Sequence, residues 1–139
     1  LLDPKRVIQI GIRGTQYDRE DLDFAGAVGI RVVKIEEFFD RGIEDVMAEA
    51  REIVGEKETY ISYDIDFIDP AFAPGTGTPE VAGMTTREIL NVLRGLAGSQ
   101  LVSADVVEVA PAYDHAELTS TAAATIVYEL VNLIARSPK

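Results

Sequence analysis

Short β-branched apolar runs alternate along the chain with stretches of helical period, and turn residues separate them. The runs predict strands at Val7–Ile12, Arg31–Ile35, Tyr60–Phe67 and Leu101–Val109. Each is apolar on both faces over part of its length, as a parallel strand sandwiched between helices is. Between the second and third strands, Ile43, Val46, Met47, Ala50, Ile53 and Val54 recur at one-face helical spacing, with Gly55 as the stop. A further helix opens at Met84-Thr85-Thr86-Arg87-Glu88-Ile89 and runs through Val92, Leu93 and Leu96. There Thr85 and Glu88 form a capping box, and Met84 and Ile89 a hydrophobic staple around it. The last helix, from Leu118 to Ala135, is expected to bury Ile126, Val127, Leu130, Val131 and Ile134, with Pro138 beyond its end. Phe24, Phe38, Phe39 and Tyr128 read as core or interface residues.

The resulting order, β-α-β-α-β-α-β-α, predicts an α/β fold of three layers, α-β-α, around a mostly parallel sheet. In such sheets chemistry gathers at the carboxyl ends of the strands. Three ends are unusual here: Gly11-Ile12-Arg13-Gly14, Asp64-Ile65-Asp66 and Glu108-Val109-Ala110-Pro111.

Composition narrows the function. The length, 139 residues, suits one domain, and no repeat, linker or low-complexity tract interrupts it. The longest uncharged apolar run, Leu118 to Tyr128, stops at Glu129, short of the ~18 residues that span a bilayer, so no membrane partner is expected. Thirteen basic against 24 acidic side chains give a net charge of −11, a field that repels phosphate backbones and attracts cations, so nucleic acid is not an expected partner. The absence of cysteine excludes disulfide and thiolate chemistry and fits a reducing, cytoplasmic setting. The chain opens on Leu1 and enters a strand almost at once without a signal-peptide charge pattern, which reads as a piece of a longer chain.

The strongest local signal is Ser62-Tyr63-Asp64-Ile65-Asp66-Phe67-Ile68-Asp69-Pro70. Strand alternation would put Asp64 and Asp66 on one face and Tyr63, Ile65 and Phe67 on the other. Two carboxylates about 5 Å apart at an effective dielectric near 20 repel by roughly 3 kcal/mol, about 2 pKa units for one of them. A bound cation, a basic group from elsewhere or one shared proton would offset that, and hard divalent ions favour such oxygen ligands. Alternatively, one or both Asp residues cap the following turn, which Asp69-Pro70 favours. The pattern also resembles the D-x-D of haloacid-dehalogenase-type phosphotransferases, in which one Asp attacks phosphorus and the other shuttles a proton. The later lysine and acidic pair of that group have no well-placed match. In the following loop Pro74 and Pro79 stiffen a segment freed to turn at Gly75 and Gly77. With Thr76 and Thr78 it either floors a pocket or packs the sheet top against a helix. His115, the sole histidine, is either a surface or structural residue or, beside Asp114, part of the pocket lining. Glu108 and Arg13 are polar strand-end residues open to ion-pair roles.

The run from Asp66 to Gly83, containing Ala73-Pro74-Gly75-Thr76-Gly77-Thr78-Pro79, resembles the signature of the ureohydrolases, the arginase and agmatinase family. Its wording is most similar to agmatinase and related guanidino-acid hydrolases. The resemblance extends to Gly11-Ile12-Arg13-Gly14, to Asp105 through Asp114 and to the Thr/Ala-rich last helix. It implies manganese-dependent hydrolysis of a linear guanidino compound, agmatine foremost, to putrescine and urea, with two Mn2+ ions activating a bridging hydroxide. By resemblance Asp64 and Asp66 match a metal-ligand pair, Glu108 anchors the guanidinium, and Gly75, Thr76, Gly77, Thr78 and His115 belong to the pocket. Where the family commonly has paired glycines this chain reads Ala82-Gly83, a departure to be tolerated if the first position needs no positive φ. The family's Gly-Gly-Asp-His and Asp-Ala-His-x-Asp segments and its catalytic histidine have no match, so no convincing catalytic residue lies in this chain. The expectation is therefore that residues 1–139 resemble only the carboxy-terminal half of a single ureohydrolase domain whose amino-terminal part is absent. Alone, such a fragment is expected to be inactive or to bind manganese weakly, while the family implies a homo-oligomer, trimer or hexamer. A non-catalytic scaffold or cation-binding fragment is the alternative.

Overall fold

The structure is a computed structural model and describes residues 2–15, 18 and 20–138. It divides into two compact units, Leu1–Gly55 and Glu56–Lys139.

In the first unit a 3₁₀ turn, Pro4–Arg6, is capped by the Asp3 carboxylate and leads into β1 (Ile8–Ile12). α1 (Glu20–Val28), β2 (Arg31–Lys34), α2 (Ile35–Arg41) and α3 (Ile43–Val54) follow. β1 and β2 pair in parallel, Ile8 opposite Arg31 and Ile10 opposite Val33, with a register shift between Ile10 and Ile12. Gly11, at φ 89°, sits in that shift, where a side chain would be strained. Val33, Ile35, Phe38, Val46, Met47 and Ala50 form the core. The predicted second strand is thus one residue too long, and a helix is missing from the prediction: Ile35 already begins α2. Gly42, at φ 84°, ends α2 and opens α3, so one continuous helix cannot pass through it. Across this break Arg41 donates to Glu37 (2.9 Å), Asp45 (2.6 Å) and Glu49 (2.5 Å), while Arg31 donates to Glu49 (2.7 Å) and Glu37.

The second unit contains β3 (Thr59–Asp64), a 3₁₀ turn (Ile65–Phe67), α4 (Thr86–Arg94), β4 (Leu101–Val107), a second 3₁₀ turn (Pro111–Tyr113) and α5 (Leu118–Ala135). β3 and β4 are parallel neighbours, with Asp64 opposite Val107. Tyr63, Ile65, Ile68, Met84, Ile89 and Leu93 are among the buried residues beneath the helices. The capping box is present as expected: Glu88 N–H donates to the Thr85 hydroxyl (3.2 Å) and Thr85 N–H to the Glu88 carboxylate (2.8 Å). Such a cap contributes about 1 kcal/mol.

Several expectations are corrected. Both strands end early, β3 at Asp64 and β4 at Val107, for local reasons given below. The strands are not covered on both faces within this chain, since Tyr60 on β3 and Val102 on β4 are exposed. On α5 the buried stripe is Thr119, Ala123, Ile126 and Leu130, whereas Val127 (47% exposed) and Val131 (58%) face outward. The inward face is set by Thr119, a polar residue whose partner lies in a distant loop and which hydropathy alone does not mark as buried. By length and composition alone the 18-residue α5 would be long enough to cross a membrane, although Glu129 interrupts its apolar run. It packs on β4 and α4, and its Glu129 accepts from Arg94 at 2.5 Å. Of the aromatics, Phe38 is core, and Phe24, Phe39 and Tyr128 are exposed. Ala82 lies at φ 62°, so the position where a glycine was expected does adopt the left-handed conformation.

Candidate functional site

Parallel pairing sets the ends of β3 and β4 side by side, which brings Asp64 next to the residue preceding Glu108. The chain leaves β3 through a cap: the Asp64 Oδ1 accepts the Asp66 N–H at 3.0 Å, closing the turn over the fully buried Ile65. Strand alternation therefore stops at Asp64, and the expected common strand face for Asp64 and Asp66 is replaced by a turn. The capping alternative describes Asp64. The cap holds the Asp64 carboxylate against the Asp66 backbone amide, so both residues belong to one turn at the strand end. Asp66 Oδ2 accepts the Thr78 hydroxyl at 3.2 Å, tying the glycine-proline loop to this turn.

That loop also joins the end of β4. Ala110 N–H donates to Gly75 O at 2.8 Å, and Thr76 forms an antiparallel bridge with Val109. Immediately before these ties Glu108 adopts φ 62°. For a residue with a side chain this region costs about 1–2 kcal/mol, and it persists where surrounding contacts enforce it. The Glu108 side chain is exposed, and its Oε2 lies 3.9 Å from the point a Cβ on Gly77 would occupy. The loop glycine therefore forms one side of the space around this carboxylate. Thr76 is 4% exposed and its hydroxyl has no hydrogen-bond partner among the described residues, while Gly77 and Thr78 are exposed. The loop thus both packs and lines, so the two sequence readings of it meet in one segment.

Two further carboxylates, on the elements that carry this cluster, have bonds that sequence reasoning missed. Asp114 lies before α5, where Ala116 (φ 52°) and Glu117 (φ 60°) turn the chain back on itself. Its carboxylate accepts Thr119 N–H (2.9 Å), Ser120 N–H (2.9 Å) and the Ser120 hydroxyl (2.7 Å). Desolvation opposes ionisation of Asp114, but these donors outweigh it and hold its carboxyl far below the usual range. The signal was an Asp placed a few residues before a Thr-Ser helix start, with the cap displaced from the N-cap position by two left-handed residues. The second is Asp105, which accepts a hydrogen bond from the Tyr60 hydroxyl across β3 and β4. Bonds from Tyr60 and Ser62 lower its pKa, and its Oδ1 is buried without a partner among the described residues. His115 is exposed in the turn before α5, its carbonyl accepting Leu118 N–H at 3.2 Å.

Asp64 and Asp66 are the hard oxygen donors that a divalent ion prefers. Among the described residues, however, no three His, Cys, Asp or Glu side chains gather as a metal site. Two carboxylate residues are too few for a pair of ions, so these residues by themselves do not fit a two-metal centre. A cavity of about 470 Å³ in the second unit is lined by Ile68, Phe72, Leu90, Leu118 and Ile126, among others. None of Asp64, Asp66 and Glu108 lines it, so the candidate site is the open cluster at the strand ends.

A model of the arginase family matches residues 1–132. Guanidinopropionase of Pseudomonas aeruginosa is 53% identical over 137 residues, 99% of this chain and 43% of its own length. An agmatinase of Escherichia coli O7:K1 is 45% identical over 131 residues, 94% of this chain and 40% of its own. The solved proclavaminate amidino hydrolase from Streptomyces clavuligerus superposes with a TM-score of 0.92 at 45% identity, covering 97% of this chain and 45% of that one. The chain thus spans about two fifths of the length of the curated relatives it matches. The likeness to solved arginases bears out the expected three-layer α/β/α class with a parallel sheet. It corrects the expectation that the resemblance is to a carboxy-terminal half only, because the match runs over nearly the whole chain.

Proposed function

The chain belongs to the arginase family, and from that premise we propose that the full protein hydrolyses a linear guanidino compound to urea and an amine, with manganese. The observation that carries this reading is the convergence of Asp64, Asp66 and Glu108 at adjacent parallel strand ends, tied together by the Gly75–Thr78 loop. In it Asp64 and Asp66 supply part of a manganese ligand set, and the rest comes from outside the described residues. Glu108 receives the guanidinium: a planar cation with paired N–H donors suits an exposed carboxylate held in a fixed direction. Agmatine heads the substrates, because it is cationic at both ends and the net charge of −11 favours cations. Guanidinopropionate and guanidinobutyrate stand beside it. The protein is read as a homo-oligomer, trimer or hexamer, which light scattering on the purified full protein measures directly.

The test is urea release by the full protein with added manganese, over agmatine, guanidinopropionate and guanidinobutyrate. Asp64→Ala is expected to remove metal-dependent release with little change in fold by circular dichroism. Glu108→Gln is expected to raise KM while leaving manganese content intact. Full activity in Asp64→Ala, or loss of metal in Glu108→Gln, contradicts these roles.

A further inference from the structure

Glu108 holds a backbone conformation that residues with side chains avoid, so something must impose it. The ties start in α5. Thr119 is fully buried, and its hydroxyl is not spent on its own helix: it accepts the N–H of Gly75, 44 residues away in sequence, at 2.8 Å. Gly75 in turn accepts Ala110 N–H through its carbonyl at 2.8 Å, and the next residue, Thr76, bridges Val109. Glu108 is therefore followed directly by two residues pinned to this loop. The loop approaches the start of α5 so closely at Gly75 that no side chain fits there: a Cβ on it would lie 2.8 Å from both Asp114 Cα and Cβ and 3.0 Å from the Thr119 hydroxyl oxygen. Asp114 completes the arrangement by accepting the Thr119 N–H at 2.9 Å.

We propose that Thr119, held by Asp114, is a positioning residue for Glu108, acting through Gly75 and Ala110 to fix the direction in which that carboxylate meets the substrate. The proposal rests on the reading of Glu108 as guanidinium anchor. On the same helix the exposed Thr125 donates its hydroxyl to Thr121 O, a bond that stays within the helix. Thr119 instead spends its acceptor on the loop that borders Glu108.

The experiment uses the full protein with manganese and the guanidino compound it turns over. Thr119→Val keeps the branched shape and removes the acceptor; Thr119→Ser keeps the acceptor. Thr119→Val is expected to raise KM about tenfold with kcat changed less than about threefold, because displaced binding geometry is felt steeply. Thr119→Ser is expected to restore KM to within about twofold. In a Glu108→Gln background Thr119→Val is expected to change KM by less than about twofold, the non-additivity of residues that act as a unit. Amide exchange at Gly75 and Ala110 is expected to accelerate in Thr119→Val. Equal KM effects in both backgrounds, or unchanged KM and exchange, overturn the proposal. If Glu108→Gln alone leaves KM unchanged, the anchor reading fails, and exchange at Ala110 then judges the clamp: faster exchange upholds it and unchanged exchange refutes it. Should Thr119→Val not fold, Asp114→Asn is measured by the same readouts with the same expected signs.

Discussion

Replacing Ala82 by glycine is expected to stabilise the protein, although Ala-to-Gly changes ordinarily do the reverse. Ala82 is exposed at φ 62°, so removing its methyl group gives up little buried surface and relieves a left-handed backbone. The surrounding turn is anchored independently, by Gly83 N–H to Asp69 Oδ2 (3.1 Å), Asp69 N–H to Met84 O (2.9 Å) and Met84 N–H to Phe67 O (3.1 Å). The conformation therefore stays when the residue changes. The left-handed region costs an L-residue about 1–2 kcal/mol, and the greater unfolded freedom of glycine costs about 0.5–1 kcal/mol, leaving a net gain of roughly 0.5–1 kcal/mol. For a chain of this size that is about 2–4 °C in Tm. Thermal unfolding followed by circular dichroism measures it, with Ala48→Gly as the internal contrast. Ala48 is exposed within α3, where the same chemical change is expected to cost about 1 kcal/mol. Opposite signs at the two positions support the backbone argument. A lowered Tm in Ala82→Gly refutes it.

Acid and salt probe two other features. Because the Asp114 carboxyl is held below its ordinary pKa, its contribution is fully present above the unfolded value of about 4 and is lost as pH falls toward the folded one. Asp114→Asn should therefore lower Tm at neutral pH and flatten the fall in Tm below about pH 4; an acid limb as steep as the parent's counts against the assignment. In the first unit Arg41 holds Glu37, Asp45 and Glu49 together, and their side chains are only partly covered. Arg41→Met is expected to lower Tm at low ionic strength and to differ less from the parent at roughly 1 M salt, where screening acts within about 3 Å. A salt-independent difference would assign the loss to packing instead.

What was legible in the sequence depended on whether a signal was local. The α4 cap was readable because Thr85 and Glu88 stand three apart and satisfy each other. The parallel strands and the long helices followed from apolar period. The strand ends were misjudged where side-chain chemistry overrode alternation: apolar character continues through Ile65 and Phe67, yet the Asp64 carboxylate captures an amide and ends the strand. α2 was missed because the β-branched run of Val32 and Val33 continues into Ile35, which reads as strand although the helix already begins there. Thr119 was overlooked because nothing near it in sequence reveals a partner 44 residues earlier. The candidate residues were recognisable by type and motif, while the left-handed turn at Glu108 required coordinates.

The parallel pairing of β3 with β4 bears on how the chain emerges during synthesis. Asp64 finds its partner Val107 roughly forty residues later, after the whole of α4. A parallel pair cannot close through a short hairpin, so β3 leaves the ribosome well before the strand it pairs with. During that interval its ladder to β4 is unmade, while α4, whose cap is entirely local, can already form. Non-local pairing of this kind slows folding and exposes strand edges to other chains. Segment Thr59–Asp64 is thus where a nascent-chain chaperone has most to protect, and where synonymous changes in translation speed between residues 65 and 107 would be felt as changes in soluble yield.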